Sequence, residues 1–327
     1  MNALTSHAFW IDSPGAGSLR AEVCSKPRAN EVLIRTLYSG ISRGTEALIW
    51  NGQVPQSEYQ RMRAPFQAGE FPSPVKYGYA SVGVVEAGPA EWLGASVFCL
   101  YPHQDCYVVP TSAVHRLPEN LPPERAILAA NVETAINATW DLAPAIGEQI
   151  AVIGGGVVGL LVASLLQALP GTAVQLIDVN PAREAIAAKL GLEFALPGNS
   201  WESADRVVHT SASEAGLAQA LRMAANQGVV LELSWYGSHP VSAPLGADFH
   251  AKRITLRSSQ VGQLPLHMAA QWDTSRRLAL ALDLLTQNPH WDALIDQQTA
   301  FTDLPQQMPG ILAAQGLCHR ITYSEKI

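Results

Sequence analysis

The sequence predicts an α/β protein in which a doubly wound parallel sheet follows a β-rich first third. From residue 126 onward, short apolar strands alternate with helical segments, and this alternation is typical of a parallel sheet with helices on both faces. Before that point, short runs of β-branched and aromatic residues are separated by Gly and Pro, which predicts strands. Because 327 residues exceed what one hydrophobic core usually organises, we expect two domains.

Composition and charge exclude several classes of protein. With 48% hydrophobic and 15% charged residues the chain is globular, and its net charge of −7 argues against nucleic-acid binding. A membrane helix needs about 20 apolar residues, and the longest candidate, 150–169, is interrupted by four glycines. The N-terminus shows no secretory signal. We therefore expect a cytoplasmic protein without nucleic-acid or membrane partners.

The first third carries its strands in the runs EVLIRTLYSG, ASVGVVEAG, ASVFCL and CYVVP. Between them lies a long irregular stretch, 51–74, which holds Arg61 and Arg63 beside aromatic residues. Long loops in compact domains are often functional. Two interpretations stay open: a solvated loop, or a basic patch that binds an anionic substrate.

The cysteines are scattered and predict no metal site. None of the four forms a C-x-x-C pair or lies near a histidine at metal-ligand spacing. We expect buried, reduced thiols at Cys24, Cys99, Cys106 and Cys318.

A glycine-rich turn carries the sharpest motif. The segment GGGVVG satisfies G-x-G-x-x-G, and it follows the strand-like QIAVI and opens the helix-like VVGLLVASLLQAL. In a Rossmann unit, Gly154 permits the tight turn, Gly156 lets the backbone approach a pyrophosphate, and Gly159 lets the helix pack on the strand. The helix N-terminus at Val157 and Val158 then offers N–H groups to the phosphates.

The ends of the following strands predict the nucleotide preference. AVQLIDV ends at Asp178, 19 residues beyond Gly159, where a carboxylate binds the ribose hydroxyls of NAD and repels the 2′-phosphate of NADP. Arg183, a few residues further on, is expected to lie along the adenosine of the cofactor. It could instead serve a phosphate, so NADP stays the less favoured alternative. RVVHTSA ends in His209 and Ser211 at the same edge of the sheet, and we predict that Ser211 contacts the cofactor.

Together these features resemble the medium-chain dehydrogenase/reductase superfamily, whose best-known members are zinc-type alcohol dehydrogenases. Segments in the superfamily's order are YSGISRGTE, PVKYGYASVGVVEAG, IDVNPAREAIAAKLG and FHAKRITLRSS. The resemblance implies a Rossmann domain at 132–256 inserted in a GroES-like catalytic domain made of 1–131 and 257–327. It also implies a substrate cleft between the domains, and a homodimer through Rossmann edge strands.

The zinc ligands of that superfamily are replaced in this chain. Ser42 stands where the first ligand is Cys, and Tyr79 stands where the second is His. The third position falls near Ala130 or Asn131, and the lobe that binds structural zinc is missing. These side chains do not form a tetrahedral N/S site, so we expect no zinc.

Within the superfamily, the chain most resembles the bacteriochlorophyllide dehydrogenase branch, whose enzymes oxidise a hydroxyethyl substituent on a chlorin ring. The match begins with GISRGTE at 40–46 and continues through Leu48, Trp50, Gly52 and Pro55. It ends with GY at 78–79 and SVG at 81–83. Because the insert QSEYQRMRAPFQAGEFPSPVK differs, the branch is carried over and the substrate is left open.

Without zinc, side chains must handle the hydroxyl proton. Tyr79 is the first candidate for proton transfer, and Ser42 could orient it or the substrate oxygen. Glu133 and Thr134, near the third-ligand position, are further candidates, and Arg43 is a candidate for contact with the pyrophosphate. The alternative for Tyr79, an inert phenol that fills the space of the absent zinc, stays open.

The resulting hypothesis is an NAD(H)-dependent oxidoreductase that transfers hydride between nicotinamide and a small alcohol or carbonyl compound without catalytic zinc. One alternative is a zinc-free quinone or enoyl reductase, which would usually prefer NADPH. Another, of a different class, is a non-catalytic dinucleotide-binding sensor.

Overall fold

The computed structural model describes residues 4–324. It divides into two compact units: the first combines the chain up to Ala130 with the chain from Leu282, and the second spans Asn131–Ala281. The chain leaves the first unit within helix α3 and returns within helix α8.

The strands are β1 Leu4–Ser13, β2 Ala16–Cys24, β3 Glu31–Ile41, β4 Ala68–Gly69, β5 Val75–Lys76, β6 Ser81–Ala87, β7 Ser96–Cys99, β8 Cys106–Pro110, β9 Val114–Arg116, β10 Gln149–Ile153, β11 Ala173–Ile177, β12 Glu193–Ala195, β13 Ala204–His209, β14 Ala224–Glu232, β15 Thr255–Ser258, β16 Ile295–Ala300 and β17 Cys318–Thr322. The α-helices are α1 Arg43–Trp50, α2 Pro123–Ala126, α3 Ala129–Leu142, α4 Val157–Gln167, α5 Arg183–Lys189, α6 Glu214–Met223, α7 Leu266–Ala269, α8 Thr274–Gln287 and α9 Leu304–Ala313. Short 3₁₀ turns lie at Gln56–Glu58, Ala90–Trp92, Thr111–Ala113, Pro197–Asn199, Pro289–Leu294 and Phe301–Asp303, and a π-helical turn lies at Leu245–Phe249.

The first unit is β-rich. One sheet has the order β2-β1-β5-β4, and a mixed sheet has the order β16-β17-β3-β6-β7-β9, with β8 paired to β3. Alternating apolar residues of β3 and β8 face a buried cluster that includes Val32, Ile34 and Tyr107. The strands predicted from the apolar runs of the first third are confirmed, whereas the hairpin β1–β2 was not predicted.

The second unit is a parallel sheet of order β12-β11-β10-β13-β14-β15. Numbered from β10, this is the order 3-2-1-4-5-6 of a doubly wound Rossmann sheet. Its central strand β10, QIAVI, is buried at four of five residues, as expected for a strand covered on both faces. The predicted α/β fold class, with a Rossmann sheet inserted in a β-rich domain, is confirmed.

The end of the second unit lies beyond the boundary expected from the sequence. The expected boundary at 256/257 falls inside β15, which pairs with β14 and completes the parallel sheet. The segment 257–281 stays with the second unit, because Arg277 of α8 is buried against Glu133 of α3. The expected domain limits of 132–256 therefore differ from the structural division.

Two further expectations concern cysteines and membranes. Each of the four cysteines is a buried free thiol, as predicted, and the two sulfurs of Cys24 and Cys106 lie 3.9 Å apart. Among residues 4–324, no helix has the length and apolar character needed to cross a bilayer.

Candidate functional site

The glycine-rich turn lies between β10 and α4, at the carboxyl edge of the parallel sheet. Gly154 has φ +111°, a conformation that L side chains rarely adopt. A Cβ on Gly159 would lie 1.9 Å from the carbonyl oxygen of Gly154, so only glycine lets α4 begin this close to the turn. A Cβ on Gly156 would meet nothing within 4 Å, which leaves open space at the helix N-terminus. The turn therefore has the shape that phosphate binding needs.

Asp178 lies directly after β11 and faces this turn. Its Oδ2 accepts a hydrogen bond from the N–H of Gly155 at 2.5 Å, and its Oδ1 accepts one from the N–H of Asn180 at 2.7 Å. Arg183 is buried beside the same glycine, because a Cβ on Gly155 would lie 3.2 Å from the Cγ of Arg183 and 3.2 Å from the Oδ2 of Asp178. The backbone thus fixes the carboxylate beside the glycine turn, at the carboxyl edge of the sheet.

The end of β13 lies against the opposite side of the turn. Thr210 donates from its N–H to Ile153 at 2.8 Å and from its hydroxyl to the carbonyl of Gly154 at 2.9 Å. A Cβ on Gly154 would lie 2.8 Å from the backbone nitrogen of Ser211. Ser211 itself is exposed. Ser211 therefore lies next to the glycine turn, as the sequence predicted. Its contact with a cofactor stays a prediction.

A polar network continues from Ser211 into the sheet. The Nε2 of His209 lies 2.6 Å from the Oγ of Ser211, and its Nδ1 lies 2.6 Å from the Oε2 of Glu232. Tyr236 donates from its hydroxyl to the same carboxylate at 3.0 Å. Burial opposes the charge of Glu232, but hydrogen bonds from His209 and Ser234 outweigh it and lower the pKa of this carboxyl.

In the first unit, the structure brings Tyr79 and Ser42 together. Ser42 is the N-cap of α1, and its hydroxyl makes no capping hydrogen bond. The hydroxyls of Ser42 and Thr45 instead lie close enough to the phenol of Tyr79 to act on its pKa. Burial raises the pKa of Tyr79 to about 12, although the two hydroxyl contacts work in the opposite direction. Tyr79 is therefore protonated at neutral pH, and two side chains orient it.

Behind this pair lies a buried chain of polar groups. Glu46 accepts the N–H of Ser42 at 2.8 Å with one carboxylate oxygen, and its other oxygen lies 3.0 Å from the Nε2 of His103. The Nδ1 of His103 lies 2.7 Å from the hydroxyl of Ser39. Glu46 is 3% exposed and His103 is 1% exposed, so these groups fix the start of α1 from inside the unit.

Glu133 and Thr134 lie on α3 in the second unit. The guanidinium of Arg277 donates to the Oε1 of Glu133 at 3.1 and 3.0 Å, and it also contacts Asn137 and the carbonyl of Val261 at 2.6 Å. Burial raises the pKa of Glu133 while Arg277 opposes that shift. Glu133 is thus engaged in joining α3 to α8, which favours a structural role over the predicted catalytic one.

The basic candidates also have partners. Arg43 donates from its guanidinium to the carbonyl of Ala314. In the long loop, Arg63 donates to two backbone carbonyls at 3.1 Å and pairs with Glu70 at 2.9 Å. Arg61 is 76% exposed and lies 3.5 Å from Glu58. Arg63 therefore stabilises the loop itself, whereas Arg61 is the arginine of this segment that presents its charge to solvent.

Sequence reasoning did not assign Thr45, His103 or Glu232 to a site. Thr45 and His103 act through tertiary contacts that no local pattern reveals. Glu232 could have been found, because it ends β14 and neighbouring parallel strands end at one edge of the sheet. Among the described residues, no group of three or more His, Cys, Asp or Glu side chains is placed to hold a metal ion.

Comparison with known proteins places the chain among dehydrogenases, although no family model matches it. It is 29% identical over 311 residues to 2-desacetyl-2-hydroxyethyl bacteriochlorophyllide A dehydrogenase of Rhodobacter capsulatus, covering 90% of this chain and 93% of that protein. L-idonate 5-dehydrogenase of Escherichia coli has a similar fold, with a TM-score of 0.80, 14% identity, and coverage of 98% and 99% of the two chains. A protein described as a zinc-binding dehydrogenase of Sinorhizobium meliloti, bound to NADP, also has a similar fold. Its TM-score is 0.77, its identity is 16%, and the match covers 98% of this chain and 99% of that chain.

Proposed function

We propose that the chain is an alcohol-dehydrogenase-like oxidoreductase of the medium-chain dehydrogenase/reductase superfamily, and that it transfers hydride between NAD(H) and an alcohol or carbonyl compound without catalytic zinc. The observation that carries the proposal is the placement of the Tyr79 phenol beside the hydroxyls of Ser42 and Thr45. Ser42 and Tyr79 stand where the resemblance places two zinc ligands, and the proposal assigns the proton of the reaction to them instead.

The second unit supports a nicotinamide dinucleotide as the cofactor. The open space at Gly156 and the N-terminus of α4 suit a pyrophosphate, and the carboxylate of Asp178 suits a ribose with free hydroxyls. A 2′-phosphate would meet the negative charge of Asp178, so we propose NAD rather than NADP. When bound, the nicotinamide ring would accept or supply the hydride.

Side chains of the first unit transfer the proton of the reaction. In carbonyl reduction the substrate oxygen gains a proton as hydride reaches its carbon, and Tyr79 supplies this proton from its phenol. In alcohol oxidation the O–H bond of the substrate breaks and its proton returns to the phenolate. Ser42 and Thr45 stabilise that phenolate through their hydroxyls, because hydrogen bonds to a charged form favour it.

The cofactor is tested by fluorescence titration of the purified chain with NADH and NADPH. Tighter binding of NADH is expected, and Asp178→Ser should narrow the difference between the two nucleotides. A clear preference for NADPH would instead favour the double-bond reductase alternative.

The chemistry is tested on Tyr79 with a panel of alcohols and carbonyl compounds, followed at 340 nm. Tyr79→Phe should lower kcat by about 10²–10⁴-fold, the usual contribution of a positioned acid or base, and leave NADH binding unchanged. Tyr59→Phe, in the long loop, is the matched control and should keep full activity. Activity that a chelator abolishes and zinc restores would overturn the zinc-free assignment.

Three further expectations remain proposals. Every residue of β15, at one edge of the parallel sheet, is exposed, and such an edge can pair with a second copy of the chain. A homodimer is therefore proposed, and sedimentation velocity would test it. An anionic substrate would be met by Arg61, and a cytoplasmic location is kept from the sequence.

A further inference from the structure

Three side chains at the carboxyl edge of the parallel sheet form one hydrogen-bonded chain that runs from the interior to the surface. It begins at Glu232 and passes through His209 to Ser211, with both links 2.6 Å long, and the Oγ of Ser211 also lies 2.8 Å from the Oγ of Ser213. His209 is fully buried, and Ser211 is exposed. A buried imidazole thus controls the hydrogen bonding of a hydroxyl that solvent or a ligand can reach.

The exposed end of this chain lies beside the glycine turn. The backbone nitrogen of Ser211 would be 2.8 Å from a Cβ on Gly154, so there is no room for another side chain between them. The next residue, Ala212, has φ +50°, and its N–H donates to the hydroxyl of Ser234 at 3.0 Å. The turn after β13 is therefore held in one conformation, with Ser211 next to the place for phosphates.

The protonation of His209 decides what Ser211 can offer a ligand. When the imidazole is neutral, its Nδ1–H donates to Glu232 and its Nε2 accepts the proton of Ser211. When the imidazole is charged, both ring nitrogens donate, and the Ser211 O–H is released from His209 and can donate to the Oγ of Ser213 or to a ligand. A phosphate oxygen accepts hydrogen bonds only, so it favours the charged imidazole.

We propose that His209, held by Glu232, is a positioning residue that turns the Ser211 hydroxyl into a donor for a phosphate of the bound dinucleotide, so that binding takes up a proton at His209. This inference rests on the proposed cofactor. It goes beyond that cofactor by linking its binding to pH through residues that are not part of the glycine motif.

The charged and titratable groups around His209 agree with this direction. Glu232 and Tyr236 face the imidazole from β14 and the turn that follows it, and Glu214 at the start of α6 acts on Tyr236. The residues that face His209 from the two other neighbouring elements are uncharged: Ile153, which pairs with it on β10, and Gly216 of α6. A carboxylate is thus the charged group in contact with the ring, and it stabilises an added positive charge.

The test is calorimetric titration of the full chain with NADH at pH 7.5 and 8.5, in phosphate and in Tris. Because these buffers differ in ionisation enthalpy, a proton taken up on binding makes the observed heat depend on the buffer. We expect uptake of up to one proton per NADH, and an affinity that falls as pH rises, by up to about tenfold per pH unit.

His209→Asn should abolish the proton uptake, because an amide does not titrate, while His250→Asn, an exposed histidine of the same unit, should keep it. Since a buried substitution could impair folding, Ser211→Ala at the surface gives a second test, with weaker NADH binding and no uptake expected. Buffer-independent heats in the unmodified chain, or unchanged uptake in Ser211→Ala, would overturn the inference alone. No binding of either nucleotide by folded protein would overturn the proposed function with it.

Discussion

In the proposed mechanism, the Tyr79 side chain takes over a task that zinc performs in zinc-type alcohol dehydrogenases. Zinc lowers the pKa of a bound hydroxyl, whereas a phenol with a pKa of about 12 stays protonated and acts best as a donor. The hydroxyls of Ser42 and Thr45 reduce the cost of the phenolate, but burial of the ring outweighs them. The site is therefore better suited to carbonyl reduction than to alcohol oxidation near neutral pH.

This imbalance predicts the pH dependence. Reduction needs the protonated phenol, whose fraction does not change between pH 6 and 9, so its rate should be flat over that range. Oxidation needs the phenolate, whose fraction rises by about tenfold per pH unit below the pKa, so its rate should rise accordingly. Initial rates in both directions at saturating cofactor check this.

Ser42→Ala is the matched variant for that profile. Loss of its hydrogen bond should raise the pKa of Tyr79 further, which slows oxidation while reduction keeps its flat profile. An oxidation rate that levels off below pH 9 would contradict Tyr79 as the proton acceptor and would point to a group that titrates near neutrality.

At the scale of the element, the start of α4 depends on two glycines for different reasons. A Cβ on Gly159 would come within 1.9 Å of a backbone oxygen, so Gly159→Ala should destabilise the fold by about 1–3 kcal/mol through overpacking. Gly156→Ala has open space and φ −75°, so the fold should tolerate it, yet its methyl group would enter the space proposed for the pyrophosphate. Urea unfolding and NADH titration should separate the two variants: stability falls mainly in the first, and affinity alone falls in the second.

The ion pair between α3 and α8 supplies the next prediction. Arg277 is 1% exposed and Glu133 is 5% exposed, so Arg277→Met leaves a buried carboxylate without its partner and should cost about 3–5 kcal/mol in urea unfolding. Burial holds the pKa of Glu133 above its unfolded value, and in the variant nothing opposes that shift. The folded variant then binds the extra proton, so its deficit should grow as pH rises above the unfolded pKa and shrink toward pH 5. The double variant Glu133→Gln/Arg277→Met should recover part of the lost free energy of unfolding. A stability deficit of Arg277→Met that is the same near pH 5 and at neutral pH would contradict this account.

These elements also show how far local sequence predicts the molecule. The strand, turn and helix around Gly154 are encoded in one contiguous segment, so the motif predicts them together with the position of Asp178. Glu133 was predicted to be catalytic because it follows the third zinc-ligand position in the sequence. Its ion-pair partner Arg277 is 144 residues away, and no local sequence pattern predicts that contact. The same holds for the contact between Tyr79 and Thr45, which two separate segments of the first unit create.

For the whole molecule, the second boundary of the Rossmann unit is the feature that local patterns predicted least well. The family resemblance implied a boundary at 256, but β15 pairs with β14 as the last strand of the sheet, and Arg277 of α8 pairs with Glu133 of α3. A unit cut at 256 would divide β15 and leave Glu133 unpaired in the interior. The segment 257–281 is therefore required by the second unit for both pairing and charge.

Two fragments test this division. The fragment 131–281 should fold and bind NADH, because it contains the complete parallel sheet, the glycine turn and the Arg277–Glu133 pair. The fragment 132–256 should unfold at a lower urea concentration, with a free energy of unfolding that is smaller by several kcal/mol. The reason is that it lacks the partner of a buried carboxylate and half of an edge strand. Glu133→Leu in the shorter fragment, which removes the unpaired charge, should restore part of its stability. Equal unfolding midpoints for the two fragments would show that 257–281 contributes nothing to the unit and would return the boundary to 256.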